Sequence, residues 1–201
     1  MNELGGGNAV FATAYFPSVE YMMLVQKNPA FIIDPNDRWK RQTLRNRTHI
    51  LSPNGIQMLS VPVEAKSHPE TLTKDIKISY QQPWIRVHKG ALEAAYNTTA
   101  FFEYFKDDIW AIFDQKPTYL IDLNENLLQL MLKKFKIKKL EIEASKIAES
   151  SSFVEISNGS DNTPQKLPFD EFRKYPQVFS YKHEFGVNLA AIDLLANCGN
   201  F

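Results

Sequence analysis

The sequence lacks three things, and each absence removes a class of function. It has a single cysteine, Cys198, so no internal disulfide framework holds the fold and no thiol pair can do redox work. It has no excess of charge of either sign: 23 Lys+Arg residues balance 23 Asp+Glu residues. A surface that clings as a whole to nucleic acid or anionic lipid is thereby excluded, and electrostatic recognition must be local. It has no apolar run near the ~18 residues of a membrane span. The start, Met1 to Gly7, carries neither the basic nor the apolar region that opens a secretory signal, so a cytoplasmic location is expected.

Familiar motifs are missing too. Gly5-Gly6-Gly7 precedes the first apolar segment instead of following it, and no Gly-Lys-Ser/Thr occurs, which disfavours P-loop and dinucleotide sites. There is no Gly-x-Ser-x-Gly elbow for a serine nucleophile. The histidines, His49, His68, His88 and His183, are too scattered for a metal-ligand pattern. No metal and no cofactor are expected.

What remains is a chain of 201 residues, 44% of them apolar, which suits one α/β domain spanning 1–201. Asn8 to Phe16 reads as a short buried strand, Pro17 and Ser18 open a helix to Lys27, and Ala30 to Asp34 reads as a second strand. That is a β-α-β unit over residues 9–34. A second is expected over 118–144: a strand from Tyr119 to Leu123, a helix capped by Asn124, and a strand from Leu140 to Ala144. Between them, Arg38 to Ile50 and Met58 to Val63 suggest a basic hairpin turned at Pro53-Asn54-Gly55, and Ile76 to Tyr80 a short strand. Residues 84–115 read as two helices, with Val87, Ala91, Leu92 and Ala95 on the inner face of the first. Residues 149–168 are turn formers and are expected to form a long loop; Val187 to Asn197 is a final helix stopped by Gly199. The expected architecture is a mixed, largely parallel sheet with flanking helices.

The most informative segment runs from Arg38 to Arg47. It holds Arg38, Lys40, Arg41, Arg45 and Arg47, and no acid occurs from Arg38 to Val63, so a positive field survives the neutral total. Guanidinium forks match phosphate or carboxylate oxygens, which makes an anion site one reading. A solvated basic edge strand is the other.

Acid-base candidates are His88, Tyr15, Tyr96, Asp122 and Asp193. His88 lies near a helix start, where an imidazole can titrate near neutral pH, although a lone histidine is commonly structural. Asp122 would end a strand and face the crevice where open sheets bind ligands, or assist capping. Asp193 lies inside an apolar helix and calls for a cation or hydrogen-bond donors, a structural ion pair being the expected outcome.

The blocks Tyr15-Phe16-Pro17-Ser18-Val19-Glu20-Tyr21, Lys40 through Asn46-Arg47, Val61-Pro62-Val63, Trp84 with His88, Ala95-Tyr96, Tyr175-Pro176-Gln177-Val178-Phe179 and Asp193-Leu194-Leu195 resemble the WbqC-like family over residues 9–199. The end departs from the family pattern, Gly199 being followed by Asn200 and Ala196 replacing an aromatic. The resemblance implies a bacterial protein of O-antigen or surface-polysaccharide synthesis that transfers glycine or another acyl group onto an amino sugar. It implies that Lys40, Arg45, Asn46 and Arg47 hold a phosphorylated substrate, such as a nucleotide- or lipid-linked amino sugar, a carrier phosphopantetheine or an aminoacyl-tRNA end. His88 would then be the acid-base group, with Tyr15 or Tyr96 placing the acyl group. A non-catalytic nucleotide-, sugar- or RNA-binding protein using the same crevice is the alternative. A third reading makes the Arg-Asn-Arg block internal scaffolding paired with Asp122 or Asp193.

Overall fold

A serine between a proline and an apolar run is a strong helix start, and the chain uses it. The structure, a computed structural model, describes residues 9–34, 36–64, 70–140 and 174–200. The first strand, β1 (Ala9–Phe11), is wholly buried. Ser18 then caps α1 (Val19–Lys27), its hydroxyl accepting the Tyr21 N–H at 3.2 Å, and Asn28 closes the other end by donating its N–H to Leu24 and Val25 carbonyls. The chain returns in β2 (Phe31–Ile33), parallel to β1 with Ala9 opposite Phe31. The β-α-β unit over 9–34 is therefore formed as expected, with the Phe11 and Phe31 rings edge to face at 5.5 Å.

The hairpin also forms, as antiparallel β3 (Arg47–Ser52) and β4 (Gly55–Ser60), with Gly55 at φ +102 where a side chain would be strained. Its first strand is shorter than the charge run suggests. Residues 41–46 form successive turns, with Gln42 at φ 58 and the Thr43 hydroxyl donating to the Lys40 carbonyl at 3.0 Å, so only Arg47 of the basic block enters the ladder. Local side-chain-to-backbone bonds of this kind compete with strand pairing.

Four further helices follow: α2 (Trp84–Tyr96), α3 (Lys106–Asp114), α4 (Leu120–Lys134) and α5 (Ala191–Cys198). The start of α4 corrects the expected strand at Tyr119 to Leu123. Leu120, Leu123, Leu127 and Met131 are fully buried at helical spacing, and that stripe outcompetes the short strand signal. Tyr119 stays extended as the residue before the helix and makes one antiparallel bridge with Lys77. Asn124, expected as the cap, sits inside the helix and is 1% exposed. Of the expected strand from Leu140 to Ala144, Leu140 has no strand partner and donates its N–H to the Pro29 carbonyl at 2.8 Å; residues 141–144, like the expected loop at 149–168, lie outside the described residues.

Among the described residues, then, the sheets are one parallel pair and one antiparallel pair, not a largely parallel sheet. Ile76 to Tyr80 contributes two isolated bridges, Val63 with Ile78 and Lys77 with Tyr119. The described residues form small sheets and five α-helices wrapped on a core that includes Phe11, Tyr15, Phe16, Met22, Ile50, Leu92, Phe113 and Leu123. Each large apolar side chain buried this way contributes about 1.5–3 kcal/mol. The last helix begins later than Val187, because Asn188 is at φ 53 and Ala190 bridges Ser18; Gly199, at φ 82, ends it as expected.

Candidate functional site

Two residues bring Tyr15 into the interior. Its N–H donates to the Leu44 carbonyl at 2.9 Å, and Phe16 follows at φ 43, a conformation costly for a bulky side chain. The Thr48 hydroxyl holds that turn by donating to the Phe16 carbonyl at 3.0 Å. From the other side, α2 buries Trp84, His88, Leu92, Ala95 and Tyr96. Val87, expected inside, is 55% exposed: the inner stripe is set one position further along, and it carries the histidine.

Tyr15 Oη and His88 Nδ1 lie 2.7 Å apart, joining residues distant in sequence. Both are buried, and the Trp84 ring stands edge-on to the imidazole at 5.1 Å. Burial pushes the His88 pKa down to about 4, opposed in part by a hydrogen bond to the Ser60 backbone, while burial also raises Tyr15 well above its ordinary value. The pair is neutral at pH 7. A neutral phenol keeps its proton and donates to Nδ1.

The basic block divides at this point. Arg45 is 4% exposed and committed inside: its Nε donates to Asp37 Oδ2 at 2.7 Å, a second nitrogen pairs with the same carboxylate, and a third reaches Thr43 Oγ1 at 3.3 Å. Its carbonyl accepts from Asn124 Nδ2 at 2.8 Å. Asn46 exchanges bonds with Val61, backbone to backbone at 2.8 Å and side chain to carbonyl at 3.0 Å, leaving its buried Oδ1 without a partner. Arg47 lies opposite Ser60 in the ladder. Among the described residues it makes no ion pair, and its buried Nε has no acceptor. Burial, and after it the charge of Arg47, lowers the pKa of His49 on the same strand face. Lys40 is exposed, just before the turns that start at Arg41.

The structure therefore brings Tyr15 and His88 together, and sets the other candidates apart. Tyr96 lies about 12 Å further along α2, at 1.5 Å per residue, and is buried beside Asp193. Asp193 is not in an ion pair among the described residues; it accepts from Tyr175 Oη at 2.7 Å and Gln177 Nε2 at 3.3 Å, and burial raises its pKa to about 6. Asp122 is exposed in the first turn of α4, where a carboxylate suits the helix dipole, instead of facing a crevice at a strand end. The scaffolding pair of the third reading also changes: Arg45 meets Asp37, and neither Asp122 nor Asp193.

Sequence reasoning missed the partner of Arg45, Asp37. Asp37 was visible as the acid just before the basic run, but an irregular turn has no periodicity to link it to Arg45. Among the described residues no group of three or more His, Cys, Asp or Glu side chains converges as a metal site would, and no helix is long and apolar enough to cross a membrane.

Comparison with known proteins gives a family and a relative. Residues 13–163 match the family model described as the WbqC-like protein family. The chain is also 26% identical over 181 residues to the uncharacterized protein Rv1507c of Mycobacterium tuberculosis, an alignment covering 88% of this chain and 75% of that protein. No solved structure matches.

Proposed function

The chain belongs to the WbqC-like protein family, and on that premise we propose that it binds a phosphorylated substrate, of the nucleotide- or lipid-linked amino-sugar class, with Arg47 as the cation that meets the phosphate. The observation that carries this reading is the contrast within one block. Arg45 has its carboxylate in Asp37, whereas Arg47 has a buried Nε with no acceptor and, among the described residues, no ion pair. A guanidinium held in that way gains a charge-assisted bidentate bond when an anion arrives, without losing an internal one. Asn46 precedes it in the chain, and Lys40, exposed before the turns that lead to it, is the further cation of this reading.

Isothermal titration with inorganic pyrophosphate tests the reading. Wild-type protein should bind, with an affinity that falls as salt is raised, and Arg47→Ala should weaken binding by about tenfold or more while leaving the melting temperature within a few degrees. Equal affinity in the two proteins would remove Arg47 from the site.

A second reading is an acyl- or aminoacyl-transferase of surface-polysaccharide amino-sugar modification, and the 2.7 Å Tyr15 to His88 bond favours it, since an attacking amine must give up a proton as its N–C bond forms, and the donor's ester or thioester bond breaks to release an alcohol or thiol that takes a proton up. Against it, an imidazole whose pKa is pushed down to about 4 is a weak base at pH 7. Mass spectrometry of an amino sugar incubated with an aminoacyl donor separates the readings: an aminoacylated product abolished by His88→Ala supports transfer, and binding with no product supports the first.

A further inference from the structure

Arg47 stands at one end of a sheet face that the binding of a phosphate alone leaves unused. In an antiparallel ladder, residues directly opposite share a face, and successive pairs alternate between the two faces. Arg47 with Ser60, His49 with Met58 and Leu51 with Ile56 make up one face of the hairpin, and Thr48 with Leu59 and Ile50 with Gln57 belong to the other. The second face is turned inward: Thr48, Ile50 and Leu59 are no more than 2% exposed. On the first, Leu51 is buried against Phe179 and Leu189, whereas Met58 is 45% and Ile56 60% exposed. From the Arg47 pair to the Leu51 pair the ladder rises ~14 Å, at ~3.4 Å per residue.

This shelf carries no charge of its own. No Asp, Glu, Lys or Arg occurs from Thr48 to Val63, and His49, its pKa held down by burial first and the Arg47 charge second, is neutral at pH 7. The shelf stops at the hairpin tip, where Lys182 Nζ and His183 Nε2 meet the Pro53 carbonyl at 2.8 and 3.0 Å. A single exposed apolar side chain needs no explanation, but these two are neighbours on one face, in line with a cation. A surface charged at one end and apolar along the rest is complementary to a molecule built in the same way.

We propose that the phosphorylated substrate is lipid-linked and not nucleotide-linked, its phosphate meeting Arg47 and the first part of its apolar chain lying along Met58 and Ile56. This rests on the reading that Arg47 binds the phosphate. Met58 and Ile56 are then specificity residues, because apolar chain removed from water against them adds affinity that a bare phosphate lacks. A nucleobase gains nothing comparable: beyond His49 the side chains of the shelf offer neither a ring to stack on nor a donor or acceptor for its edge.

The test compares geranyl diphosphate, uridine diphosphate and inorganic pyrophosphate by isothermal titration against the whole chain. Wild-type protein should bind geranyl diphosphate about tenfold or more tighter than pyrophosphate, the scale of burying part of a short apolar tail. Uridine diphosphate should bind no tighter than pyrophosphate. In the double variant Ile56→Thr, Met58→Gln the gain from the geranyl chain should disappear, so that geranyl diphosphate and pyrophosphate bind alike. No gain in wild type, a gain that survives the double substitution, or uridine diphosphate as the tightest of the three overturns the proposal. If the double variant does not fold, methyl-13C methionine labelling of wild type decides: the Met58 methyl signal should shift with geranyl diphosphate and stay in place with pyrophosphate, and a signal that geranyl diphosphate leaves unmoved overturns it equally. Arg47→Ala separates the two levels. Pyrophosphate binding lost there, with no geranyl gain in wild type, sinks the lipid assignment alone, whereas unchanged pyrophosphate binding in Arg47→Ala sinks the binding reading and the assignment with it.

Discussion

Arg45 and Arg47 are two residues apart and have opposite roles, which only their partners reveal. The charge run and the Arg-Asn-Arg block are legible from the sequence; the division of labour is not, because Asp37 reaches Arg45 through an irregular turn. Removing the Asp37 charge should expose the difference. With Arg45 side-chain exposure at 5% and Asp37 at 21%, Asp37→Asn leaves a buried guanidinium without its counter-charge, and urea unfolding should show a loss of about 1–3 kcal/mol. The same substitution should change pyrophosphate affinity far less than Arg47→Ala does. The Tyr15 and His88 blocks were likewise visible one by one, but their contact joins distant segments and follows from the Phe16 turn, which no local pattern announces.

At the scale of elements, the parts that the sequence states redundantly are the parts that formed. Pro17 with Ser18, the apolar run before them and the one after α1 all agree on β-α-β. The stretch around Tyr119 to Leu123 carried two signals, aromatic and β-branched residues for a strand and leucines at helical spacing, and packing against the core chose the helix. The end of α5 is the clearest single-residue stop. A Cβ at Gly199 would require a side chain at φ +82 and would stand 3.1 Å from the Phe101 ring, so Gly199→Ala should cost about 1–2 kcal/mol in chemical unfolding. A neutral effect would mean that the turn adjusts freely.

Across the whole molecule, two buried titrating groups oppose each other. His88 falls from 6.5 to about 4 on folding, so the unfolded chain binds the extra proton between those values and stability rises with pH there. Asp193 goes from 3.8 to about 6, so the native state binds the extra proton and stability falls as pH rises through that window. Each effect is on the order of 3 kcal/mol, and in wild-type protein they largely cancel between pH 4 and 6. Asp193→Asn should therefore lose stability on acidification relative to wild type, and His88→Gln should lose it on alkalinisation; urea midpoints that run parallel for all three proteins would contradict the two shifts. The central claim, that the uncommitted Arg47 guanidinium is the anion site, is tested most directly by the arginine Nε–H resonances during a pyrophosphate titration. The Arg47 Nε–H signal should shift and saturate while that of Arg45, held by Asp37, stays in place. A titration that moves Arg45, or moves neither, would contradict it.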